Sequence, residues 1–450
     1  MKYSIFDAMN FKTQSPLLAA IFSMLFFSAF SMLFSSCSAL KDTPDPKGDL
    51  TVQTPISENV SGTIQYRLQN VVLKNVSSLR EVNGKYATFY YAPGIQNGRL
   101  SGFSPIAFFM KMASNVFVPK DDNSIQMATI YYHMQNLIQF AQNLKAMDIN
   151  SAAFPVGLST RVKQDTTLQA NNAFFDGRSQ AMLFVPYTAN EMPIAVNAGI
   201  VAHEFFHSIF YRYVFAKMSS APTAGQNISH DTVHVEEGWR SAIVGEYATD
   251  PISSTVKTDQ ELYNETYLRG INEGMADFWA WAYTKDPDFL KWSLSSYAAN
   301  RTLQKQATPT YLAQSDIMRA VQEAQFEADN PSLALSGYIY NIGTPYARFL
   351  KEVVETKAKN ESKSLDDAKS EVCLSLVSFI DKLGTSAANV SGTATLPIDD
   401  LFMYFSDTTQ GAVSQDQCNL AINYLNSAAT KPAYKCGQDN ASASFKVIKL

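Results

Sequence analysis

The chain has 450 residues, of which 46% are hydrophobic and 12% aromatic, enough apolar material for a large core or for two packed subdomains. Charged residues make up 17% and the formal net charge is -5, with no long basic run. This balance excludes the positively charged footprint that binding to nucleic acid requires.

An apolar segment near the N-terminus is typical of an export signal. Lys2 and Lys12 precede an uncharged apolar stretch at residues 17–34, and the small residues of SSCS follow it. The cysteine of SSCS resembles the lipidated residue of the bacterial lipobox, which implies a signal peptide at residues 1–36 and a lipid on Cys37. The alternative is an uncleaved transmembrane anchor. In both cases the rest of the chain is expected outside the cytoplasm, and the resemblance favours the bacterial outer membrane, on its periplasmic or surface side.

A β-rich region is predicted after a linker. Residues 37–60 are polar and rich in Pro, Asp, Thr and Gly, which predicts a flexible tether. Short apolar stretches broken by NGK, APG and NGR then predict hairpins over residues 61–123. Residues 124–147 have the apolar spacing of a helix. His133 in this helix has no evident partner and is predicted to be structural or at the surface.

Strands and then helices are predicted further along the chain. Residues 152–162 and 180–188 are predicted as strands, and Pro193 as the start of a helix that runs to about Lys217. The order predicts an α+β fold, with a mixed sheet and its helix followed by a mainly helical C-terminal subdomain at residues 286–450. Candidate helices in and before that subdomain lie near residues 268–284, 309–327, 343–358, 364–381 and 416–427.

The remaining cysteines are Cys373, Cys418 and Cys436, and they lack the close pairing of a zinc cluster. In an oxidising compartment Cys418 and Cys436 are expected to form a disulfide. Cys373 is expected to be a buried free thiol.

The apolar stretch VAHEFFHSIF carries three ionisable side chains, His203, Glu204 and His207. Residues four apart on an α-helix differ by about 40° around the axis, so both imidazoles project from one face and can share a zinc ion. Glu204 lies about 100° from His203, beside such an ion, where it suits a general base. The alternative is two structural histidines, which requires three polar groups to be satisfied within an apolar helix.

A second polar pair follows in YLRGINEGMADFWAW, residues 267–281. Glu273 and Asp277 lie one helical turn apart, so Glu273 can supply a third zinc ligand while Asp277 orients a histidine. A solvated acidic face is the alternative, and the neighbouring aromatic residues disfavour it. The metzincin pattern is excluded because Phe210 and Tyr213 stand where it requires a glycine and a third histidine.

The motifs His-Glu-xx-His and Asn-Glu-xxx-Asp, with NNAFFDG upstream, resemble the gluzincin metallopeptidases, most closely the thermolysin and fungalysin families. The resemblance covers residues 124–285 in patches and implies a zincin catalytic subdomain there. It implies that one zinc ion is bound and that water activated by the base hydrolyses a peptide bond. The implied roles are zinc ligation for His203, His207 and Glu273, general base for Glu204, and support of the ligands for Asp277 and Asn272.

The same resemblance implies how a substrate is held. A peptide would add as a strand beside the edge segment that contains Asn172, Ala173 and Phe174. The Gly-Asp-rich turn that follows this strand in thermolysin-like enzymes is replaced by FVPYTANE, so no calcium site is predicted.

The chain departs from the family at the oxyanion donor and in an insertion. No histidine matches the family's donor; Tyr338 or Tyr340 can donate the same bond, or both pack at a helix start instead. Residues 218–266 form a long insertion between the two motifs. Its ionisable side chains include His230, His234, Glu236 and Glu237. The alternatives for them are a solvated loop, a second metal site or a contact with substrate.

The sequence thus predicts a zinc metallopeptidase, an endopeptidase rather than an exopeptidase, that acts on peptides or proteins and is a monomer by default. One alternative is a non-catalytic surface or adhesion protein that retains the fold. The other is an aminopeptidase in which Glu236 and Glu237 bind the free amine of the substrate.

Overall fold

Several segments of the chain lie outside the described part of the structure. The computed structural model describes residues 44–61, 63–147, 152–164, 167–177, 179–220, 257–328, 331–390, 394–407, 412–428, 433–439 and 444–450. The predicted signal peptide and Cys37 therefore lie outside the described residues. The same holds for His230, His234, Glu236 and Glu237 of the predicted insertion.

Strands dominate the N-terminal part and helices the C-terminal part. The strands are β1 (Gly48–Val60), β2 (Thr63–Ser78), β3 (Asn83–Gly84), β4 (Ala87–Gln96), β5 (Arg99–Phe103), β6 (Phe109–Lys111), β7 (Phe117–Pro119), β8 (Phe154–Leu158), β9 (Lys163–Gln164), β10 (Thr167–Leu168), β11 (Ala173–Asp176), β12 (Ala181–Phe184), β13 (Tyr434–Asp439) and β14 (Ser444–Lys449). The α-helices are α1 (Asp122–Asn143), α2 (Ala198–Phe210), α3 (Ala216–Ser220), α4 (Asp259–Thr284), α5 (Ser295–Arg301), α6 (Gln314–Glu327), α7 (Pro331–Ala334), α8 (Ile339–Asn360), α9 (Leu365–Asn389), α10 (Asp400–Tyr404) and α11 (Gln415–Leu425).

The first sheet has the order β3-β2-β1-β7-β6 and confirms the β-rich N-terminal region. The prediction of a flexible tether is wrong for residues 48–60, which form β1 and pair with β2 along almost their whole length. Leu50, Val52 and Thr54 alternate on the buried face, as in a strand with one face on the core. Pro55 interrupts this pattern in the sequence, but it is tolerated because β7 pairs with β1 only at Val52.

The second sheet is mixed and has the order β11-β12-β8-β4-β5. The strands β4, β8 and β12 run parallel, while β11 and β5 pair antiparallel at the two edges. Both strands predicted around residues 152–162 and 180–188 are present as β8 and β12. Since β4 pairs directly with β8, the predicted boundary between residues 61–123 and 124–285 runs through this sheet.

The apolar helix begins later than predicted. Pro193 precedes a single 3-10 turn, and α2 starts after Asn197, whose side chain accepts hydrogen bonds from the N–H groups of Gly199 and Ile200. Every residue of α2 is buried, which explains why it is apolar on all sides. Beyond Phe210 the chain continues through a π-helical turn into α3.

The second motif lies on α4, which is longer than predicted. Thr258 and Glu261 form a capping box at its start, so residues 259–266 belong to this helix and not to the predicted insertion. The other predicted helices are confirmed as α1, α6, α8, α9 and α11. The α4 and α8 backbones approach closely, because Gly274 packs against Gly343.

The C-terminal region is helical until its last element, where the prediction of helices alone is wrong. Strands β13 and β14 pair antiparallel, an element that the sequence did not predict. The predicted disulfide between Cys418 and Cys436 is present and joins α11 to β13. Cys373 is a buried free thiol, as predicted.

Residues Pro46–Leu450 pack as one compact α+β unit, with a single large core between the sheets and the helices. The coarse fold class is therefore confirmed. Across the described ranges, every helix is too short or too polar to cross a lipid bilayer.

Candidate metal centre

The two histidines of α2 meet at their Nε2 atoms. His203 and His207 are 5% and 8% exposed, and their Nε2 atoms lie 3.1 Å apart. The carboxylate of Glu273 on α4 completes the group, with one oxygen 3.2 Å from His203 Nε2 and the other 3.6 Å from His207 Nε2. The structure thus brings the three predicted ligands together from two packed helices.

Each imidazole is fixed from behind by a residue of α4. Asp277 Oδ1 lies 3.0 Å from His203 Nδ1, and Asn272 Oδ1 lies 3.0 Å from His207 Nδ1. The Asn272 oxygen accepts the proton of His207 Nδ1, which turns the lone pair of His207 Nε2 toward Glu273, while the Asp277 carboxylate forms an ion pair with His203. Asp277 and Asn272 therefore occupy the supporting positions predicted for them.

A cation fits this arrangement. Two nitrogen lone pairs and a carboxylate face one another within a buried space, and such acceptors repel unless a proton or a metal ion lies between them. Two imidazoles and one carboxylate are also a common ligand set of catalytic zinc. The ligand atoms of His203, Glu204 and His207 lie within 4.8 Å of one another, but the shorter distances to Glu273 make it the better third ligand.

The carboxylates control the protonation of the site. Burial alone lowers the pKa of His203, but Asp277 and Glu273 outweigh burial and raise that pKa to about 10. Burial lowers the pKa of His207 to about 4. Burial opposes ionisation of Glu273, yet His207, His203 and Arg301 hold its pKa well below the usual range. Without a metal, protonated His203 supplies the positive charge beside Glu273.

Glu204 lies beside this cluster and is not one of its closest members. It is 5% exposed, and burial raises its pKa to about 7. Among the described residues, its Oε2 has no hydrogen-bond partner. A carboxyl group that changes protonation near neutral pH suits proton transfer.

Arg301 is a charged residue of the site that the sequence reading missed. From the end of α5 it donates two hydrogen bonds to Asp277, from Nη2 at 2.6 Å and from Nε at 3.1 Å. Its Nη2 also lies 3.6 Å from Glu273. This cation offsets the two buried carboxylates of α4. No spacing signal links it to the motifs, because it comes from a separate short helix.

The cluster lines a cleft with a volume of about 120 Å³. The predicted substrate residues Asn172, Ala173 and Phe174 line one wall, where β11 is the edge strand of the second sheet. The N–H of Ala173 already donates to Asn172 Oδ1 at 2.9 Å. The lining also includes the apolar residues Ile200, Phe289, Leu290, Leu294 and Ile339.

The two candidate oxyanion donors differ in position. Tyr340 lines the cleft, and the guanidinium of Arg301 lies 4.2 Å from the centre of its ring. Tyr338 does not line the cleft, and its hydroxyl lies 3.4 Å from the carbonyl oxygen of Asp316. Residues two apart at a helix start point in nearly opposite directions, so only one of the two can face the cleft. Of the two tyrosines, Tyr340 alone is therefore placed to act in the cleft.

Comparison of the sequence with models of known families gives no match, and comparison with curated proteins gives none either. The interpretation of the cluster depends on its own geometry, which is that of a candidate metal centre with a buried carboxylic acid beside it.

Proposed function

We propose that this protein is a zinc-dependent metallopeptidase of the gluzincin type, with a thermolysin-like arrangement around its cleft. The observation that carries the proposal is the convergence of His203, His207 and Glu273 from two helices, with Glu204 beside them. The position of β11 at the end of its sheet supports it, because a peptide can add as a strand beside an edge strand.

In the proposed mechanism, zinc held by His203, His207 and Glu273 would supply a Lewis acid that polarises the scissile carbonyl and acidifies a water. Glu204 accepts the proton of the attacking water and returns it to the leaving amine. Its pKa of about 7 suits both transfers near neutral pH. Asp277 keeps the His203 ring in the tautomer and orientation that ligation requires.

The cleft walls then orient the substrate. An extended peptide would run along β11, with its side chains alternating between the cleft and solvent. Tyr340 is the proposed donor to the developing oxyanion, since its position in the cleft is the one available to a hydroxyl of this pair. The apolar lining at Ile200 and Leu290 favours a hydrophobic side chain next to the cleaved bond.

The decisive experiment compares Glu204→Gln with the unchanged protein, using an unfolded protein as substrate. The zinc-loaded protein should cleave it, and removal of zinc by a chelator should stop cleavage. Glu204→Gln should lower kcat by about 10²- to 10⁴-fold, because general base catalysis contributes that much. Glu355→Gln is the matched control, since Glu355 lies half-exposed on α8 and pairs with Lys351.

Two outcomes would contradict the proposal. Equal cleavage by both proteins, with or without chelator, would assign the activity to something else. No cleavage by a folded, zinc-loaded protein would favour a non-catalytic surface protein that keeps the site.

We also propose that the chain is exported and lipid-anchored through Cys37, on the basis of the apolar segment and SSCS alone. Expression in a bacterium fed radiolabelled palmitate should label the protein and direct it to the outer-membrane fraction. Cys37→Ser should abolish labelling. Labelling that persists in this variant would contradict the anchor.

A further inference from the structure

A second arginine lines the cleft, and its ion pair is longer than that of Arg301. Arg269 lies on α4 four residues before Glu273, about 6 Å along the helix axis and on the same face. It is 4% exposed, and it lines the cleft together with the proposed zinc ligands. A buried guanidinium at this distance from the reacting group lies within reach of a bound substrate.

The two terminal nitrogens of the Arg269 guanidinium differ in their contacts. Nη1 donates to the carbonyl oxygen of Ser332 at 3.2 Å, which fixes the orientation of the group. Among the described residues, Nη2 has no hydrogen-bond partner, although it is buried. A buried charged donor without a partner is costly, so its presence in a cleft indicates a ligand that supplies the acceptor.

Arg269 is less closely paired than Arg301. The carboxylate nearest to Arg269 is Glu265, whose Oε1 lies 3.9 Å from Nη1. The other oxygen of Glu265 lies 2.8 Å from Lys257 Nζ, so this carboxylate is not dedicated to Arg269. By contrast, Arg301 donates two hydrogen bonds to a single carboxylate, that of Asp277.

We propose that Arg269 binds a carboxylate of the substrate, one helical turn from the metal centre. A guanidinium suits this ligand, because its planar donors match the two oxygens of a carboxylate. The carboxylate has two sources in a peptide, the C-terminus and an acidic side chain. The inference goes beyond the proposed peptidase activity by naming the substrate class, and it depends on that function only for the identity of the substrate as a peptide.

The test uses binding and not turnover, so that it stands apart from the peptidase assay. The zinc-loaded Glu204→Gln protein would be titrated by calorimetry with an acetylated hexapeptide of Ala and Leu. Three forms would be compared: one with a free C-terminal carboxylate, one amidated, and an amidated series with a single Asp at each position. One carboxylate-bearing form should bind about 10- to 100-fold more tightly than the neutral amide, the range expected for a charged hydrogen bond.

Substitution of Arg269 then tests whether this residue causes the preference for a carboxylate. In the same background, Arg269→Gln should remove the preference and leave binding of the neutral peptide unchanged, and Arg269→Lys should retain part of it. Zinc affinity measured on each variant reports whether Glu273, one turn away, is still in position.

A preference for the free C-terminus identifies the C-terminus as the source of the carboxylate, and a preference for one Asp position identifies a side chain. Equal binding of all three forms, or a preference that survives Arg269→Gln with zinc affinity intact, would overturn the proposal.

A subsequent cleavage assay separates the two failures. If the unsubstituted protein cleaves the neutral peptide but shows no carboxylate preference in binding, the peptidase proposal stands and the role of Arg269 is wrong. If a carboxylate preference is measured while no peptide is cleaved, the anion site stands and the peptidase proposal is wrong.

Discussion

Two regions of the molecule bury histidines on apolar helices, and only one of them has the partners of a metal centre. In the cleft, the Nε2 atoms of His203 and His207 converge with Glu273. Between α1 and α4, His133 Nδ1 lies 2.9 Å from the hydroxyl of Tyr283, and Nε2 has no hydrogen-bond partner among the described residues. Burial is shared by both regions, so the convergence of acceptors is what distinguishes a candidate metal site.

The two regions also differ in the charge they stabilise. Burial lowers the pKa of His133 to about 3, so this side chain is neutral at physiological pH. Burial acts in the same direction on His203, but Asp277 and Glu273 reverse it and raise that pKa to about 10. The carboxylates of α4 therefore favour a positive charge in the cleft, whereas burial keeps His133 neutral.

The largest expected effect is the loss of zinc binding when a ligand is removed. Loss of a residue that only hydrogen-bonds a ligand typically weakens metal binding by roughly 10- to 100-fold. His207→Gln should weaken zinc binding by more than this, because it takes away one of three proposed ligands. His133→Gln is the matched control and should bind zinc normally. Competition with a fluorescent chelator measures both affinities. Equal weakening in the two variants would remove the distinction between the regions.

A smaller effect is expected when the support of a ligand is removed. Asp277→Asn should weaken zinc binding by about 10- to 100-fold, because His203 loses its orienting carboxylate. It should also destabilise the fold, since Arg301 loses a buried countercharge. The control is Asp286→Asn, because Asp286 is equally buried and accepts a hydrogen bond from Trp292 outside the cluster. Asp286→Asn should lower the melting temperature and leave zinc affinity intact.

The positions of the ligands could be predicted from the sequence because they depend on local periodicity. The four-residue spacings of His203 with His207 and of Glu273 with Asp277 fix a shared helix face before any tertiary contact is known. Arg301 could not be predicted, because its approach depends on how α5 packs against α4. The choice between Tyr338 and Tyr340 also escaped prediction, since it depends on where α8 begins.

The same reasoning explains which parts of the fold were predicted. Long periodic helices such as α1 and α9 lie where the apolar spacing indicates them. Strand β1 was missed because Pro55 and several polar residues resemble a linker, while its pairing with β2 decides its structure. The start of α2 depends on Asn197, which also donates to the carbonyl of Phe289, a contact between segments far apart in sequence.

The pH dependence of zinc binding tests the difference in charge between the cleft and the region of His133. The pKa of His203 is raised from 6.5 to about 10 in the metal-free protein, so zinc must displace a proton. Affinity should rise about tenfold per pH unit over roughly pH 7 to 9, with about one proton released per zinc. Calorimetry in buffers of different ionisation enthalpy measures that release. Asp277→Asn should flatten the slope, and His133→Gln should leave it unchanged. An affinity independent of pH in the unsubstituted protein would contradict the raised pKa.

The same shift has a consequence for stability, with a defined sign. A pKa that is higher in the folded state than in the unfolded chain stabilises the metal-free protein fully below about pH 6.5. This contribution is lost as the pH rises toward about 10. Urea unfolding of the metal-free protein across this range should show the decline, and Asp277→Asn should reduce it.

The smallest expected effect tests whether the position of Glu273 depends on the close approach of two backbones. A Cβ added at Gly274 would overlap the carbonyl group of Gly343, so Gly274→Ala must push α4 away from α8. The free energy of unfolding should fall by about 1–3 kcal/mol, the usual cost of overpacking. Zinc affinity should weaken, because Glu273 is the adjacent residue. The contact of His133 with Tyr283 lies more than two turns further along α4 and should persist.

Gly337→Ala is the control, since nothing lies within 4 Å of the added Cβ. If Gly274→Ala lowers stability without changing zinc affinity, then Glu273 is held by Arg301 and the histidines alone, and the helix crossing contributes only to the core.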